Sequence, residues 1–282
     1  MGWIRRIGSA VAAGVLVASA GGPAHAIVGG LETEVNEYPF MVALVRTNTQ
    51  DHEAAWCGGS LITARHILTA AHCVAGMGAG ELRVRVGEHD LDSPGETGAT
   101  AEYDIEKIMV HEQFNRRQYA NDIAVLELKK KVAISASVGL IRGAEHPTQP
   151  NTVVRAMGWG TTQFWGQESA VLMSADLGVV AIEQCAKQLP DVSIPTGDQA
   201  RQMCTYAQNR ATCHYDDGGP VISLALINGR LRATLEGIIS SGVGCGGSKP
   251  EVHTMVSAYK SWIASKTGPS EAPADAGWVN RR

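Results

Sequence analysis

The chain has 282 residues, with 24 Lys and Arg against 28 Asp and Glu, a formal net charge of −4 and six cysteines. No basic block or stripe is present, so nucleic acid and an anionic membrane surface are not expected partners. The length allows one or two domains with a sizeable core.

Residues 1–26 read as a secretory signal peptide: Arg5 and Arg6, the apolar run Val11 to Ala20, then Ala24-His25-Ala26 as a small-residue cleavage site. The apolar run is interrupted by glycine and falls short of the roughly 20 residues a spanning helix needs, so no membrane span is expected in the mature chain. Export implies an oxidising compartment, in which six cysteines read as three disulfides. None has the close spacing of a zinc cluster, and the sequence alone leaves the pairing open.

Downstream, short runs rich in Val, Ile and Leu are separated by Gly, Asn and Asp, which is the pattern of an all-β chain. Phe40 to Val45, Glu81 to Val86, Ile105 to Val110 and Ile123 to Leu128 are predicted strands of one antiparallel group. Thr152 to Met157, Ala175 to Ile182, Pro220 to Leu226 and Leu231 to Ile239 form a second group. Asn228-Gly229 between the last two is a hairpin signal, since both residues accept positive φ. Val256, Tyr259, Trp262 and Ile263 recur at helical spacing and predict a terminal helix over 256–265. Beyond it the chain turns to Gly, Pro, Ser, Glu and Ala, and 267–282 read as a disordered tail.

Five motifs stand in order: Ile27-Val28-Gly29-Gly30, Leu68-Thr69-Ala70-Ala71-His72-Cys73, Asp122-Ile123-Ala124-Val125-Leu126, Met157-Gly158-Trp159-Gly160 and Cys213-His214-Tyr215-Asp216-Asp217-Gly218-Gly219-Pro220. Together they resemble the trypsin and chymotrypsin family of serine endopeptidases over about 240 residues. The resemblance implies two antiparallel six-stranded β-barrels, about 27–140 and 141–255, with a C-terminal α-helix. It also implies the disulfides Cys57 with Cys73, Cys185 with Cys204 and Cys213 with Cys245.

On that resemblance His72 is the general base and Asp122 the carboxylate that fixes its tautomer. Ile27 would be the mature N-terminus, whose ammonium pairs with Asp216; Ala26 before it is not a trypsin-type activation residue. Asp217 stands where the family has its nucleophilic serine, and Tyr215 where it has the oxyanion-hole glycine. A carboxylate attacking an amide would have to expel a poor amine to make an anhydride, so a pseudoenzyme is expected. Tyrosine disfavours positive φ, so the oxyanion hole is expected to be spoiled as well, and restoring serine alone would not repair it. With carboxylates on both sides, the His72 pKa is expected to rise.

The specificity pocket is altered too. Ala211 takes the floor position where trypsin-like members have aspartate, Ser240-Ser241-Gly242 replaces Ser-Trp-Gly, and Glu251 replaces a wall glycine. No metal or other cofactor is expected. A zinc set of His72, Asp217 and His214 lacks helical spacing, and Glu88, Asp90 and Glu96 read as a solvated acidic loop at a place where some relatives bind calcium. The expected product is a secreted monomer that binds a protein or peptide, the alternative being a serine-type endopeptidase with residual proteolysis.

Overall fold

The computed structural model describes residues 27–47, 55–93, 95–161, 163, 166–197, 200–241, 245–246, 249–268 and 276–280. The expected signal, Gly242 and part of the expected tail lie outside them.

A two-residue strand β1 (Leu31–Glu32) precedes a closed barrel of β2 (Met41–Arg46), β3 (Ala55–Thr63), β4 (His66–Thr69), β5 (Leu82–Val86), β6 (Ala101–Val110) and β7 (Ala124–Leu128). These pair in the ring order β2-β3-β4-β7-β6-β5, every pairing antiparallel. The second barrel is built from β8 (Val153–Gly158), β9 (Met173–Val180), β10 (Gln202–Tyr206), β11 (Pro220–Ile227), β12 (Arg230–Ser241) and β13 (Glu251–Met255). Its order is β9-β10-β13-β12-β11-β8, closed by β8 on β9, with β1 added at β9. Closure satisfies the strand edges that an open sheet would leave bare. Among the described residues three short α-helices accompany the barrels: α1 (Ala71–Val74), α2 (Ile182–Gln188) and α3 (Lys260–Thr267).

Sequence pattern accounts for much of this. From Met173 to Val180 buried and half-buried residues alternate strictly, the period-two signature of a strand with one face on a core. The second barrel packs Val154, Leu177, Val179, Met203, Val221 and Ile239 around its own centre. Phe40, Leu44, Leu61, Ile67 and Leu126 fill the first, and Trp159, Leu235 and Ile238 extend that core across the seam. At the β11–β12 hairpin Asn228 and Gly229 both have positive φ, as their identities require. Ile182, expected at a strand end, instead opens α2. The terminal helix starts with a 3-10 turn, Val256–Tyr259, whose Val256 and Tyr259 are buried while α3 lies at the surface.

All three expected disulfides are present, Cys57–Cys73, Cys185–Cys204 and Cys213–Cys245.

Residues 276–280 depart from the expectation of a disordered tail. They lie along β12, with Ala233 N–H donating to Gly277 O at 2.7 Å and Val279 N–H to Leu231 O at 3.1 Å. Asn280 N–H donates to Glu37 O, and Ala276 and Val279 are buried. The Arg230 guanidinium sits 4.3 Å over the Trp278 ring. A Gly/Pro/Ser-rich composition hides an anchor of two apolar residues placed after it.

Truncation after Gly268 removes these hydrogen bonds and the Val279 burial, and is expected to cost ~2–4 kcal/mol. Urea unfolding followed by circular dichroism should show the lower midpoint, with Trp278→Ala losing a smaller part.

Candidate functional site

The site lies at the seam of the two barrels. His72 belongs to the single turn α1, which the Cys57–Cys73 bridge ties to β3. Asp122 precedes β7 and is fully buried. Its Oδ1 accepts the His72 backbone N–H at 2.8 Å, and its Oδ2 lies 2.7 Å from His72 Nδ1. Oδ2 also accepts the Ser240 hydroxyl from β12 at 2.6 Å. Thr254 of β13 donates to the Asp122 backbone carbonyl. A buried carboxylate costs much free energy unless hydrogen-bonded, and here donors from both barrels meet that need. Ser240, assigned from sequence to the specificity pocket, is thus a support of Asp122.

Asp217 completes a row of three side chains. Its Oδ2 lies 3.8 Å from His72 Nε2, and its side chain is 29% exposed. The imidazole is therefore held between two carboxylates. Burial opposes charge on the ring, but hydrogen bonding and attraction to Asp122 and Asp217 outweigh it and push the pKa up to about 10, the expected direction. The shift favours the imidazolium at neutral pH, and the atom facing Nε2 is a carboxylate oxygen.

The turn carrying Asp217 is fixed from three sides. Gly58 N–H of β3 donates to Asp217 O at 2.8 Å, and Gly218 N–H to Ile239 O at 2.8 Å. Gly218 has φ +78°, and a Cβ there would meet Thr69 Oγ1 at 2.3 Å and Gly58 O at 2.5 Å. The position therefore needs glycine on both counts. Tyr215 overturns one expectation: it too has positive φ, at 73°. Its neighbours hold the backbone in the glycine-like conformation at a strain on the order of 1–3 kcal/mol, and its ring packs edge-on against Trp56 with centroids 6.4 Å apart. The N–H groups of Tyr215 and Asp217 have no acceptor among the described residues. Tyr215 thus takes a φ that glycine adopts readily, so what departs from the family motif here is the side chain.

Behind the turn Asp216 is fully buried and accepts N–H groups from Gly160 and Cys213, each at 2.8 Å. Desolvation pushes its pKa up to about 8, and no cation reaches it among the described residues. Ile27 is fully buried beside Met173 and Ala175, with Val28 bridged to Ala211. No hydrogen bond joins Ile27 to Asp216; in this chain the Ile27 nitrogen is an amide bonded to Ala26.

The pocket residues converge beside Cys213. Ala211 is buried, and Thr212 donates its hydroxyl to Glu251 Oε1 at 2.8 Å. Glu251 is 4% exposed, its Oε2 has no partner, and burial pushes its pKa up to about 7. Ser241 ends β12 half-buried. His253, which the sequence reading missed, lies two residues along β13 from Glu251. Its Nε2 is 2.7 Å from Thr205 Oγ1, its Nδ1 is buried without a partner, and desolvation lowers its pKa to about 4. A lone histidine in Glu-Val-His-Thr-Met carries no motif; only the register of β13 with β10 places it.

The metal readings find other geometry. His214 is exposed, and among the described residues the cluster with ligand spacing is Cys57, His72 and Cys73, two of which are spent on a disulfide. In the acidic loop Glu96 lies 3.1 Å from His89 Nδ1, Glu88 is buried 3.9 Å from Arg85, and Asp90 caps the Asp92 N–H.

Two closed six-stranded barrels with a His–Asp pair at their seam define the chymotrypsin-like class of folds. The trypsin family profile matches residues 27–263. Among similar proteins, venom serine protease 34 of Apis mellifera is 34% identical over 256 residues, 87% of this chain and 59% of that protein. A venom serine protease of Polistes dominula is 32% identical over 88% of each chain. Trypsin epsilon of Drosophila erecta is 30% identical over 84% of this chain and 86% of its own. The chain belongs to the trypsin family, and it spans about three fifths of the length of the Apis relative.

Four shifted groups set the pH response of the site. Asp216 and Glu251 hold protons in the folded state that the unfolded chain releases from 3.8 and 4.5, so stability falls with pH up to about 8 and about 7. The stabilisation from His72 is fully present below 6.5 and is lost as pH rises through about 10. His253 acts oppositely, adding stability between about 4 and 6.5. Urea unfolding should show stability declining steadily from pH 6.5 to 9.5. Glu251→Gln should flatten the curve between pH 5 and 7.

Proposed function

We propose that this chain is a secreted, catalytically silent member of the trypsin family that acts by binding a protein or peptide in the groove between its barrels. The observation that carries the reading is the Asp217 carboxylate 3.8 Å from His72 Nε2, where acyl transfer needs a hydroxyl. A carboxylate there also repels the negative charge that a tetrahedral intermediate would develop. The framework beside it supports the reading: Asp122 is buried and hydrogen-bonded, the turn carrying Asp217 is fixed, and Glu251, with its Oε2 buried and unpaired, lies next to Thr212. Residues 1–26 are the export signal in this reading. The three disulfides and the venom proteases among its relatives support an extracellular protein.

The test combines a fluorophosphonate probe with a mixed peptide library. The wild type should neither label nor cleave. Asp217→Ser should gain slow labelling without a second change, because Tyr215 already has the positive φ that a glycine would supply. Adding Tyr215→Gly should accelerate it by clearing the ring from the groove. Peptide cleavage by the wild type that disappears in His72→Ala would overturn the proposal.

Cleavage after Ala26 belongs to the same proposal. A free Ile27 ammonium would supply the cation that buried Asp216 lacks, and an opposite charge lowers a carboxylate pKa. A chain beginning at Ile27 should therefore keep its stability to higher pH than one carrying Ala26. Superimposable pH–stability curves for the two would remove the pairing.

A further inference from the structure

The two edges of the β11–β12 hairpin are treated differently. Along β12 the 276–280 segment supplies a strand, with Ala233 N–H donating to Gly277 O and Leu231 O accepting from Val279 N–H. Leu231 and Ala233 therefore turn their backbone groups away from β11. Their register partners Leu226 and Leu224 must turn theirs away from β12, to the outer edge of β11. There β8 pairs only with Val221 and Ile222, so the N–H and C=O groups of Leu224 and Leu226 have no partner among the described residues. The bare edge is also open: Ala225 is exposed, Leu226 is 71% exposed and Ile227 36%. Edge strands in soluble proteins are usually blunted by a charge, a proline or a bulge. From Ser223 to Ile227 this one has neither charge nor proline, and its bulge, at Val221/Ile222, lies before the bare part. The edge is also self-complementary. Leu224-Ala225-Leu226 reads the same in both directions, so a two-fold axis through Ala225 sets each leucine opposite the other. Arg232, paired with Ala225 in β12, would stand three strand spacings, about 14 Å, from its own copy, beyond the ~8 Å screening length of physiological salt.

We propose that the outer edge of β11 is the interface of a weak homodimer, in which two second barrels join into one continuous sheet through antiparallel β11 strands. Leu224 exchanges both backbone hydrogen bonds with Leu226 of the partner subunit, and Leu226 with Leu224 of the partner subunit. Ala225 faces its own copy in the non-hydrogen-bonded place between them. What the groove between the barrels binds has no bearing on this contact. The contact is short, and the freedom lost on association offsets most of what it gains, so half the chains should be paired only near ~100 µM.

Sedimentation of the mature chain, at concentrations from about tenfold below that value to about tenfold above it, should show monomer giving way to dimer. Hydrogen exchange should find the Leu224 and Leu226 amides protected at the upper end of the range and open at the lower. Leu226→Lys puts a charge on the edge and should leave a monomer throughout. Leu226→Pro, which removes an outward N–H without touching the β12 ladder, should do the same. All six cysteines are held in disulfides, so a single added cysteine has only its own copy to meet. Ala225→Cys should cross-link to that copy on mild oxidation, since the two Cα atoms would lie about 4.5 Å apart. Ser223→Cys and Ile227→Cys, each about 14 Å from its own copy, should not. A chain that is monomeric throughout, a dimer that survives Leu226→Lys, or cross-linking through 223 or 227 instead of 225 would each overturn the proposal. Protection of the two amides in the monomer, or only on adding a separate strand-forming peptide, would give the edge to another occupant and overturn it too.

Discussion

Asp122 is the carboxylate on which the seam of the molecule depends. Fully buried, its carboxylate accepts from α1 in the first barrel and from Ser240 of β12 in the second, while its backbone carbonyl accepts from Thr254 of β13. The two barrels must therefore close on one another for the charge to be tolerated, and His72 is oriented as a by-product of that closure. The same constraint holds whether or not a nucleophile faces the ring. The pair therefore has a structural role of its own, because removing one partner of a buried hydrogen-bonded charge pair would destabilise the fold.

The structure separates two properties that family motifs usually carry together. Backbone geometry around residues 213–219 is kept by the Cys213–Cys245 bridge, the Gly58 and Gly218 hydrogen bonds and a strained Tyr215. The side chains are another matter: the His72 ring lies between two carboxyl groups, Asp122 at 2.7 Å and Asp217 at 3.8 Å. A tyrosine that tolerates φ +73° shows how strongly the surroundings determine the turn. It also places an aromatic ring against Trp56, so the substitution adds contact surface at the groove while leaving the main chain where it was.

How much of this could be read from the chain alone depended on the kind of signal. Motifs of fixed spacing placed His72, Asp122, Asp216 and Asp217, and the resemblance they carried supplied the disulfides. Strands rich in Val, Ile and Leu were legible by composition. Less so were β3, interrupted by Gly58-Gly59, and β13, where Glu251, His253 and Thr254 are polar yet wholly buried. Their place in the barrel comes from pairing partners far away in sequence, which no local pattern records. Tyr215 was misjudged for a related reason, since intrinsic φ preference was outweighed by tertiary contacts. The 276–280 segment was lost to composition, because a pair of apolar residues at the end of a Gly/Pro stretch is invisible to an average. His253 had no signal beyond its identity.

The enclosure of Ile27 has a practical side. Its side chain fills a slot beside Met173 and Ala175 with no exposed surface, so any probe attached next to Ile27 must contend with a closed wall. The 276–280 segment is little better, since Val279 and Asn280 are tied to β12 and to Glu37. The tip of the β11–β12 hairpin offers the contrast: residues 225–230 are exposed, and Gly229 has open space around it. An inserted epitope or a single labelled cysteine at that tip would report on the molecule while Ile27 and residues 276–280 stay docked.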